Sequence, residues 1–294
     1  MRSSRSETIE KLDCLLVKEQ SVQYQISPAL FRHLNGKDKK CSWRHAICDW
    51  YYDFVDHFKF DREVVGVAMN YFDRYISISA DSLAANEPTS SIYHTVAITT
   101  LFLAIKLHAT SCEVDDLEVQ RTRALSKILC DSPQPRIIWD MEMKILKALE
   151  WYMNPPTLHQ FVFMFYEIHP SREIYTDLES YIQETTRYQV ELAILIPQLM
   201  TFKPSVIAYA ALKNVEEKIV ADKPHIVPTD MKQLYETFTS HTGAIMDPTA
   251  VARCKALLKA VCPELPDLGF FYNSLTRNMQ TDKNVLDSPR NVVA

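Results

Sequence analysis

Apolar residues recur along this chain with the spacing of amphipathic helices. Over residues 43–58 they occupy the i, i+3, i+4, i+7 positions, which predicts a helix with one buried face, and Ser42 is a suitable N-cap. Similar patterns predict helices at about 62–77, 114–119 and 135–149. A helix predicted from about residue 89 differs, because its body at 96–107 is apolar on almost every side. Such a helix is expected to be central and surrounded by others.

Two prolines at 155 and 156 interrupt this run of helices and indicate a domain boundary at about 153–156. The same layout then recurs. Helices are predicted from Thr157, over about 172–196, from Pro204, over about 229–241, and after the N-cap and N1 pair Asp247–Pro248.

The helical pattern divides the chain into four predicted parts. They are an N-terminal segment (1–41), two five-helix domains (42–153 and 154–265), and a polar tail (266–294) that we expect to be disordered. The N-terminal segment contains one candidate amphipathic helix, marked by Ile9, Leu12, Leu15 and Leu16. The predicted fold class is therefore all-α.

Composition supports helices and excludes several function classes. Only 4 glycines occur in 294 residues, where average usage would give about 20. Strand-rich folds and phosphate-binding loops need more glycine than this. A net charge of −5 argues against nucleic acid as a partner. No segment has the roughly 18 consecutive apolar residues of a membrane span, so no membrane association is expected.

The residues that usually carry catalysis or metal binding show no recognisable arrangement. The 7 cysteines are scattered without metal-finger or redox spacing, and the 9 histidines show no ligand spacing. Carboxylate pairs such as Asp115–Asp116 are adjacent in sequence, so on a helix they point apart. We therefore expect no catalytic residue, no metal and no cofactor. An enzyme assembled from residues distant in sequence is the alternative.

Five local motifs occur in a fixed order within residues 43–262. They are Trp-Arg-His-Ala-Ile-Cys-Asp-Trp at 43–50, Asn-Tyr-Phe-Asp-Arg-Tyr-Ile-Ser at 70–77, Leu-Ala-Ile-Lys at 103–106, Met-Glu-Met-Lys-Ile-Leu-Lys-Ala-Leu at 141–149, and Pro-Ser-Val-Ile-Ala-Tyr-Ala-Ala-Leu at 204–212. In this order they resemble the cyclin box followed by the C-terminal cyclin fold. The resemblance implies two tandem five-helix cyclin-fold domains preceded by an N-terminal helix.

The resemblance also implies a function. A cyclin is a regulatory subunit that binds and activates a cyclin-dependent protein kinase, so the expected partner is such a kinase and the expected role is in cell-cycle control. The expected location is the nucleus and cytoplasm. A cyclin-fold scaffold or transcription-factor-like protein that activates no kinase is the alternative. The sequence names neither the kinase nor the cell-cycle phase.

Two charged residues are the centre of the kinase-facing surface that the resemblance implies. Lys106 ends the apolar helix, and Glu142 interrupts the apolar face of another. Taken singly, each is explained by a snorkelling lysine or a solvated glutamate. The resemblance implies that they lie side by side and bind the kinase backbone. The apolar part of this surface is expected to come from Leu103, Leu107 and Leu146.

A structural ion pair is the second expectation. Arg44 lies at the start of an apolar stripe and Asp73 in the middle of the next predicted helix, where a buried charge needs a partner. The resemblance implies that they pair and fix the first helix to the second. An exposed Arg44 that binds a ligand is the alternative.

A substrate-docking patch is the third expectation, for substrates or inhibitors that carry an Arg-x-Leu motif. The resemblance places it at Trp43, Ala46, Ile47, Trp50, Asp53 and His94. Asp53 would hold the arginine of such a motif. Plain core packing explains the aromatic residues equally well, so both interpretations stay open. The sequence departs from the family here, since Ala46 replaces a larger aliphatic residue and His94 a glutamine. It departs again after Lys106, where Leu107, His108 and Ala109 replace an aromatic and two acidic residues.

Overall fold

The computed structural model describes residues 2–27, 30, 40–85, 90–109, 117–131, 135–168, 176–222, 246–262 and 265. Within them the chain forms ten α-helices, as the predicted all-α class requires. They are α1 (Arg2–Glu19), α2 (Lys40–His57), α3 (Glu63–Ala85), α4 (Ser90–His108), α5 (Leu117–Asp131), α6 (Pro135–Ala148), α7 (Leu158–Ile168), α8 (Thr176–Leu195), α9 (Pro204–Asp222) and α10 (Pro248–Val261). Short 3-10 turns lie at Val22–Tyr24 and Leu199–Thr201.

The described residues divide into two compact units. Residues 20–155 form one, and residues 2–19 together with those from 156 onward form the other. The division in the middle of the chain falls between Pro155 and Pro156. The helix α1, expected to precede the first domain, instead belongs to the unit of the later helices.

The first unit is built around α4, which packs against α3, α5 and α6. Its residues 96–105 are all buried, as a helix apolar on every side predicts. The hydroxyl of Tyr51 on α2 is also buried and donates a hydrogen bond to the carbonyl oxygen of Ala97, at 2.8 Å. The Tyr51 hydroxyl is therefore paired, which avoids the cost of a buried unsatisfied hydroxyl.

Helix boundaries depart from the predictions at three places. The helix α2 begins at Lys40, so Ser42 lies inside it and does not cap it. The helix α3 continues to Ala85, beyond the predicted end at 77. The helix α5 covers Leu117–Asp131 instead of 114–119. It buries mainly Ala124 and Ile128, a stripe too narrow to stand out in the apolar pattern.

The second unit contains α1 and α7–α10, and its most buried helix is α9, which packs against α7, α8 and α10. Local sequence determines where the helices begin. Thr157 and Gln160 form a capping box before α7, with the Gln160 N–H donating to Thr157 Oγ1 at 3.1 Å. Asp247 caps α10 by accepting the Thr249 N–H at 2.9 Å, as predicted. The predicted helix at 229–241 and the tail at 266–294 lie outside the described residues.

The helix α1 packs against α7 through one face. Of the four apolar positions that predicted it, Leu12 and Leu16 are buried and Ile9 and Leu15 are partly exposed. In the described part of the chain, no helix is both long and apolar enough to cross a membrane.

Candidate functional site

The structure brings Lys106 and Glu142 together. Lys106 lies at the end of α4 and Glu142 in the middle of α6, and their Nζ and Oε1 atoms are 2.8 Å apart. The two side chains are 48% and 13% exposed, respectively. Lys106 Nζ also lies 5.7 Å from the ring centre of Phe102, so the aromatic face supports the ammonium group. The pair is thus accessible from solvent mainly through the lysine.

The three leucines expected around this pair differ in exposure. Leu107 is exposed, whereas Leu103 and Leu146 are buried in the core of the unit. The expectation that all three form an apolar contact surface therefore does not hold for Leu103 and Leu146. Both side chains lie on the inward faces of their helices, α4 and α6, together with neighbouring aliphatic side chains that are also buried.

Other apolar side chains on α6 and just after it are exposed and were missed by the sequence reasoning. Trp139 and Met143 lie one turn apart on α6, and Trp151 follows the end of that helix. Trp151 is 62% exposed. For Trp139 and Met143 the sequence held a signal, since residues 138–149 contain more large apolar side chains than one buried helix face accommodates. Leu107, Trp139, Met143 and Trp151, with Lys106 and Glu142, are called the α4–α6 surface below.

Arg44 and Asp73 form a bidentate ion pair inside the first unit. Arg44 Nε donates to Asp73 Oδ1 at 3.0 Å, and Arg44 Nη2 donates to Oδ2 at 2.7 Å. Each side chain is only 2% exposed. The pair joins α2 to α3 in the core, so Arg44 is not an exposed ligand-binding residue.

The residues of the expected docking patch are not all on the surface. Ile47 is 1% exposed and Trp50 is also buried, so these two side chains belong to the core and do not form an accessible docking floor. Trp50 packs against Tyr51 and Phe54. They are buried because they lie on the same side of α2 as Tyr51 and Phe54, the side that the core covers.

The other members of the patch are accessible to different degrees. Trp43, Ala46 and His94 are partly exposed, and Asp53 is exposed. The Trp43 ring lies 5.5 Å from that of Tyr93 on α4, which holds the indole against the unit. Partial burial, and then the carboxylates of Asp49 and Asp56, raise the pKa of Asp53. A cationic side chain would relieve this repulsion.

Metal binding has no support in the part of the chain that the structure describes. No group of three or more histidine, cysteine, aspartate or glutamate residues there is arranged to hold an ion. The chemistry available at the sites above is hydrogen bonding, ion pairing and apolar contact.

Parts of this chain are similar in sequence to known proteins. The sequence profile of the family described as "Cyclin, N-terminal domain" matches residues 12–154. Cyclin-B1-2 of Arabidopsis thaliana is 24% identical over 205 residues, which are 69% of this chain and 41% of that protein. G1/S-specific cyclin-E1 of Gallus gallus is 22% identical over 184 residues, 61% of this chain and 42% of that protein. The chain therefore spans less than half the length of these relatives.

A solved structure extends the similarity to the fold. The X-ray structure of a viral cyclin from herpesvirus saimiri aligns with a TM-score of 0.56 at 15% identity. The alignment covers 88% of this chain and 96% of the viral protein. Residues 12–154 therefore match the N-terminal domain of the cyclin family, and the all-α fold of the chain is similar to that of a cyclin.

Proposed function

We propose that this chain is a regulatory subunit, without a catalytic site of its own, that binds and activates a cyclin-dependent protein kinase in cell-cycle control. The observation that carries the proposal is the α4–α6 surface. There Lys106 and Glu142 form an ion pair, Leu107 and Met143 follow them in sequence with exposed side chains, and exposed Trp151 follows the end of α6. The similarity to cyclins supplies the class of partner.

The chemistry of this surface suits a protein partner. Large apolar side chains clustered at a surface indicate an interaction site, and tryptophan and methionine are enriched at such sites. Lys106 has further ammonium hydrogens to donate, and Glu142 has a second carboxylate oxygen that can accept. The pair can therefore bind backbone carbonyl and N–H groups of a partner without first being broken.

Binding at this surface would activate a kinase by shifting a conformational equilibrium. A protein kinase needs a lysine of its β3 strand paired with a glutamate of its mobile αC helix. A partner that binds the inward position of that helix more tightly than the outward one favours the active arrangement. The apolar side chains of the α4–α6 surface would supply this contact.

We further propose a substrate-docking role for the accessible part of α2. Its members are Trp43, Ala46 and Asp53, with His94 from α4, and the ligand would be an Arg-x-Leu segment of a substrate or inhibitor. The carboxylate of Asp53 supplies the charge for the arginine. Nuclear and cytoplasmic localisation, the usual place of such regulation, is part of the same proposal.

Co-purification with a kinase and an activity assay test the main proposal together. The purified chain is mixed with the catalytic subunit of each cyclin-dependent kinase of the source organism, and complex formation and peptide phosphorylation are measured. At least one kinase should form a complex and phosphorylate faster than it does alone. A complex without any rise in activity would favour a scaffold, and the absence of any complex would contradict the proposal.

A further inference from the structure

The turn that follows α6 has an unusual backbone. Glu150 and Trp151 are consecutive non-glycine residues in the left-handed region, with φ of 51° and 63°. This conformation is unfavourable for a residue with a Cβ atom and persists only where the surroundings impose it. Within the turn, the Trp151 N–H donates to the carbonyl oxygen of Leu146 at 3.0 Å, and the Met153 N–H to that of Trp151 at 2.9 Å.

The guanidinium group of Arg74 on α3 holds one part of this turn. Its Nη1 donates to the carbonyl oxygen of Tyr152 at 2.9 Å, and Nη2 lies 3.5 Å from that of Leu149. Arg74 is only 3% exposed and forms no ion pair with a carboxylate among the residues described. Its guanidinium lies 5.5 Å from the ring centre of Tyr24, and that ring packs edge-on against Tyr152. Burial lowers the pKa of Arg74 to about 10, so it stays charged at neutral pH.

Two further side chains hold the end of the turn. The hydroxyl of Tyr71 donates to the carbonyl oxygen of Met153, and His108 Nε2 lies 2.7 Å from the same oxygen. Tyr71 and His108 also contact each other, with Oη and Nε2 2.8 Å apart. Tyr71 is fully buried, and His108 ends the helix that carries Lys106 and Leu107. The turn is thus tied to both α3 and α4.

These buried contacts support a segment whose own side chains face solvent. Glu150, Trp151 and Tyr152 are all exposed. Residues 150–152 therefore add little apolar burial to the unit, although Arg74, Tyr71 and His108 supply hydrogen bonds to three carbonyl groups of the turn. What this arrangement fixes is the backbone of the turn, and with it the point from which the Trp151 side chain leaves the chain.

We infer that Arg74, Tyr71 and His108 are positioning residues, which hold the turn 149–153 so that Trp151 is presented in one orientation to the partner. The inference rests on the proposed kinase-binding function of the α4–α6 surface. A side chain held in its binding position before association loses less freedom on binding, and affinity rises accordingly. These three residues act through Trp151 and do not themselves contact the partner.

Fluorine NMR on 5-fluorotryptophan-labelled full-length chain tests the positioning directly. The four tryptophans should give four signals, and the Trp151→Phe variant identifies the one that belongs to Trp151. Tyr71→Phe and His108→Leu each remove one group from the Met153 carbonyl, and His108→Gln keeps an N–H donor in reach. The matched control is Tyr51→Phe, which removes a similarly buried hydroxyl that bonds to Ala97, away from the turn.

The expected result has two parts. Tyr71→Phe and His108→Leu should shift or broaden the Trp151 signal and weaken kinase binding about tenfold, the size of one well-placed anchor contact. His108→Gln should restore both, and Tyr51→Phe should change neither. Kinase affinity is measured by calorimetry with the kinase identified in the co-purification experiment.

Three results would overturn the inference. One is an unchanged Trp151 signal in both variants, and another is a displaced signal with unchanged kinase affinity. The third is an equal effect from Tyr51→Phe, which would reveal general loosening of the unit. If wild type binds no kinase, the proposed function fails separately, and the fluorine spectra alone decide whether these residues position Trp151.

Discussion

The carboxylate of Glu19, the last residue of α1, accepts two hydrogen bonds from Ser205 in the first turn of α9. The Ser205 N–H lies 3.1 Å from Oε2 and its hydroxyl 2.6 Å from Oε1, across 186 positions of the chain. The two residues are 4% and 1% exposed. A carboxylate here satisfies an N–H that a helix leaves unpaired and lies at the favourable end of its dipole. Glu19 therefore ties the N-terminal helix into the second unit.

Two replacements of Glu19 should distinguish the contribution of its hydrogen bonds to stability from the contribution of its charge. Glu19→Ala leaves the buried Ser205 groups without this acceptor, and we expect a loss of about 1–3 kcal/mol in the free energy of unfolding. Glu19→Gln keeps an oxygen acceptor without the charge, and should lose much less. Urea unfolding followed by circular dichroism gives both values. Equal losses in the two variants would show that the acceptor oxygen is not what matters.

The same pair predicts a pH dependence. Burial raises the pKa of Glu19 above its ordinary value of 4.5, although the Ser205 hydrogen bonds and Lys203 oppose the shift. The folded state then holds this proton more tightly than the unfolded state does, so the stability contribution is complete below pH 4.5 and is lost as pH rises through the folded-state pKa. As the pH rises from 4.5 through the folded-state pKa, the free energy of unfolding of wild type should fall relative to that of Glu19→Gln. Unfolding curves for both proteins over that range test this, and parallel curves would contradict it.

The buried pair of Arg44 and Asp73 should be important for stability. Arg44→Ala leaves Asp73 buried without its bidentate partner, and we expect a loss on the order of 3 kcal/mol. The double variant Arg44→Ala/Asp73→Ala should lose less free energy of unfolding than the sum of the two single variants, because each single variant leaves one charge buried without its partner. Additive losses in this double-mutant cycle, measured as free energies of unfolding, would mean that the two residues are energetically independent.

A matched pair on the surface provides the control for that cycle. Arg62 and Asp56 also form a bidentate pair, with Nη2 and Oδ2 2.6 Å apart, but their side chains are 40% and 44% exposed. Solvent screens such a pair, so its coupling energy should stay below about 1 kcal/mol. Similar coupling in both pairs would contradict the importance given to burial.

Much of the fold follows from local patterns in the sequence. The central position of α4 could be predicted because its body is apolar on every side, and α9 and α10 begin at the predicted Pro204 and Pro248. The placement of α1 could not be predicted, because it depends on contacts such as Glu19 with Ser205 between residues far apart in sequence. An apolar stripe shows that a helix packs but does not identify its neighbour.

The candidate site was predictable to a smaller extent. The motifs placed Lys106 beside Glu142, as the structure has them. The motifs also suggested that Ile47 is accessible, but the core covers it. This prediction was wrong because a buried helix face and a docking face have the same spacing of apolar residues. Trp151 was missed since its exposure depends on two left-handed residues, and neither is the glycine that would have indicated such a turn.

The pair at the α4–α6 surface predicts a loss of binding without a loss of folding. Lys106→Ala/Glu142→Ala should abolish kinase activation, while the free energy of unfolding changes by less than about 1 kcal/mol because Lys106 is half exposed. The control is Lys259→Ala/Glu217→Ala, an exposed pair between α9 and α10 with N···O at 2.8 Å, which should activate normally. Thermal unfolding and a kinase assay are run on both. Unfolding of the first variant, or normal activation by it, would show that the interface assignment is wrong.

The docking patch on α2 predicts that affinity for a peptide can be changed in both directions. Ile47 and Trp50 are buried, so the accessible apolar floor is limited to Trp43 and the small side chain of Ala46. Ala46→Ile adds three carbons, and at ~0.8 kcal/mol per buried methylene it should tighten binding of an Arg-x-Leu peptide by up to about 2 kcal/mol.

Asp53→Ala should weaken binding of the same peptide, because it removes the carboxylate that would hold the peptide's arginine. Partial burial, and then the carboxylates of Asp49 and Asp56, raise the pKa of Asp53, while Arg62 lowers it. An incoming guanidinium would pair with this carboxylate and reduce the repulsion among the three acids. Glu118→Ala, at an exposed acid on α5, is the control and should leave peptide affinity unchanged. Calorimetry on wild type and the three variants measures each effect. Failure of wild type, Ala46→Ile and Asp53→Ala alike to bind any such peptide would mean that this face of α2 serves only the core, and that substrates are selected elsewhere.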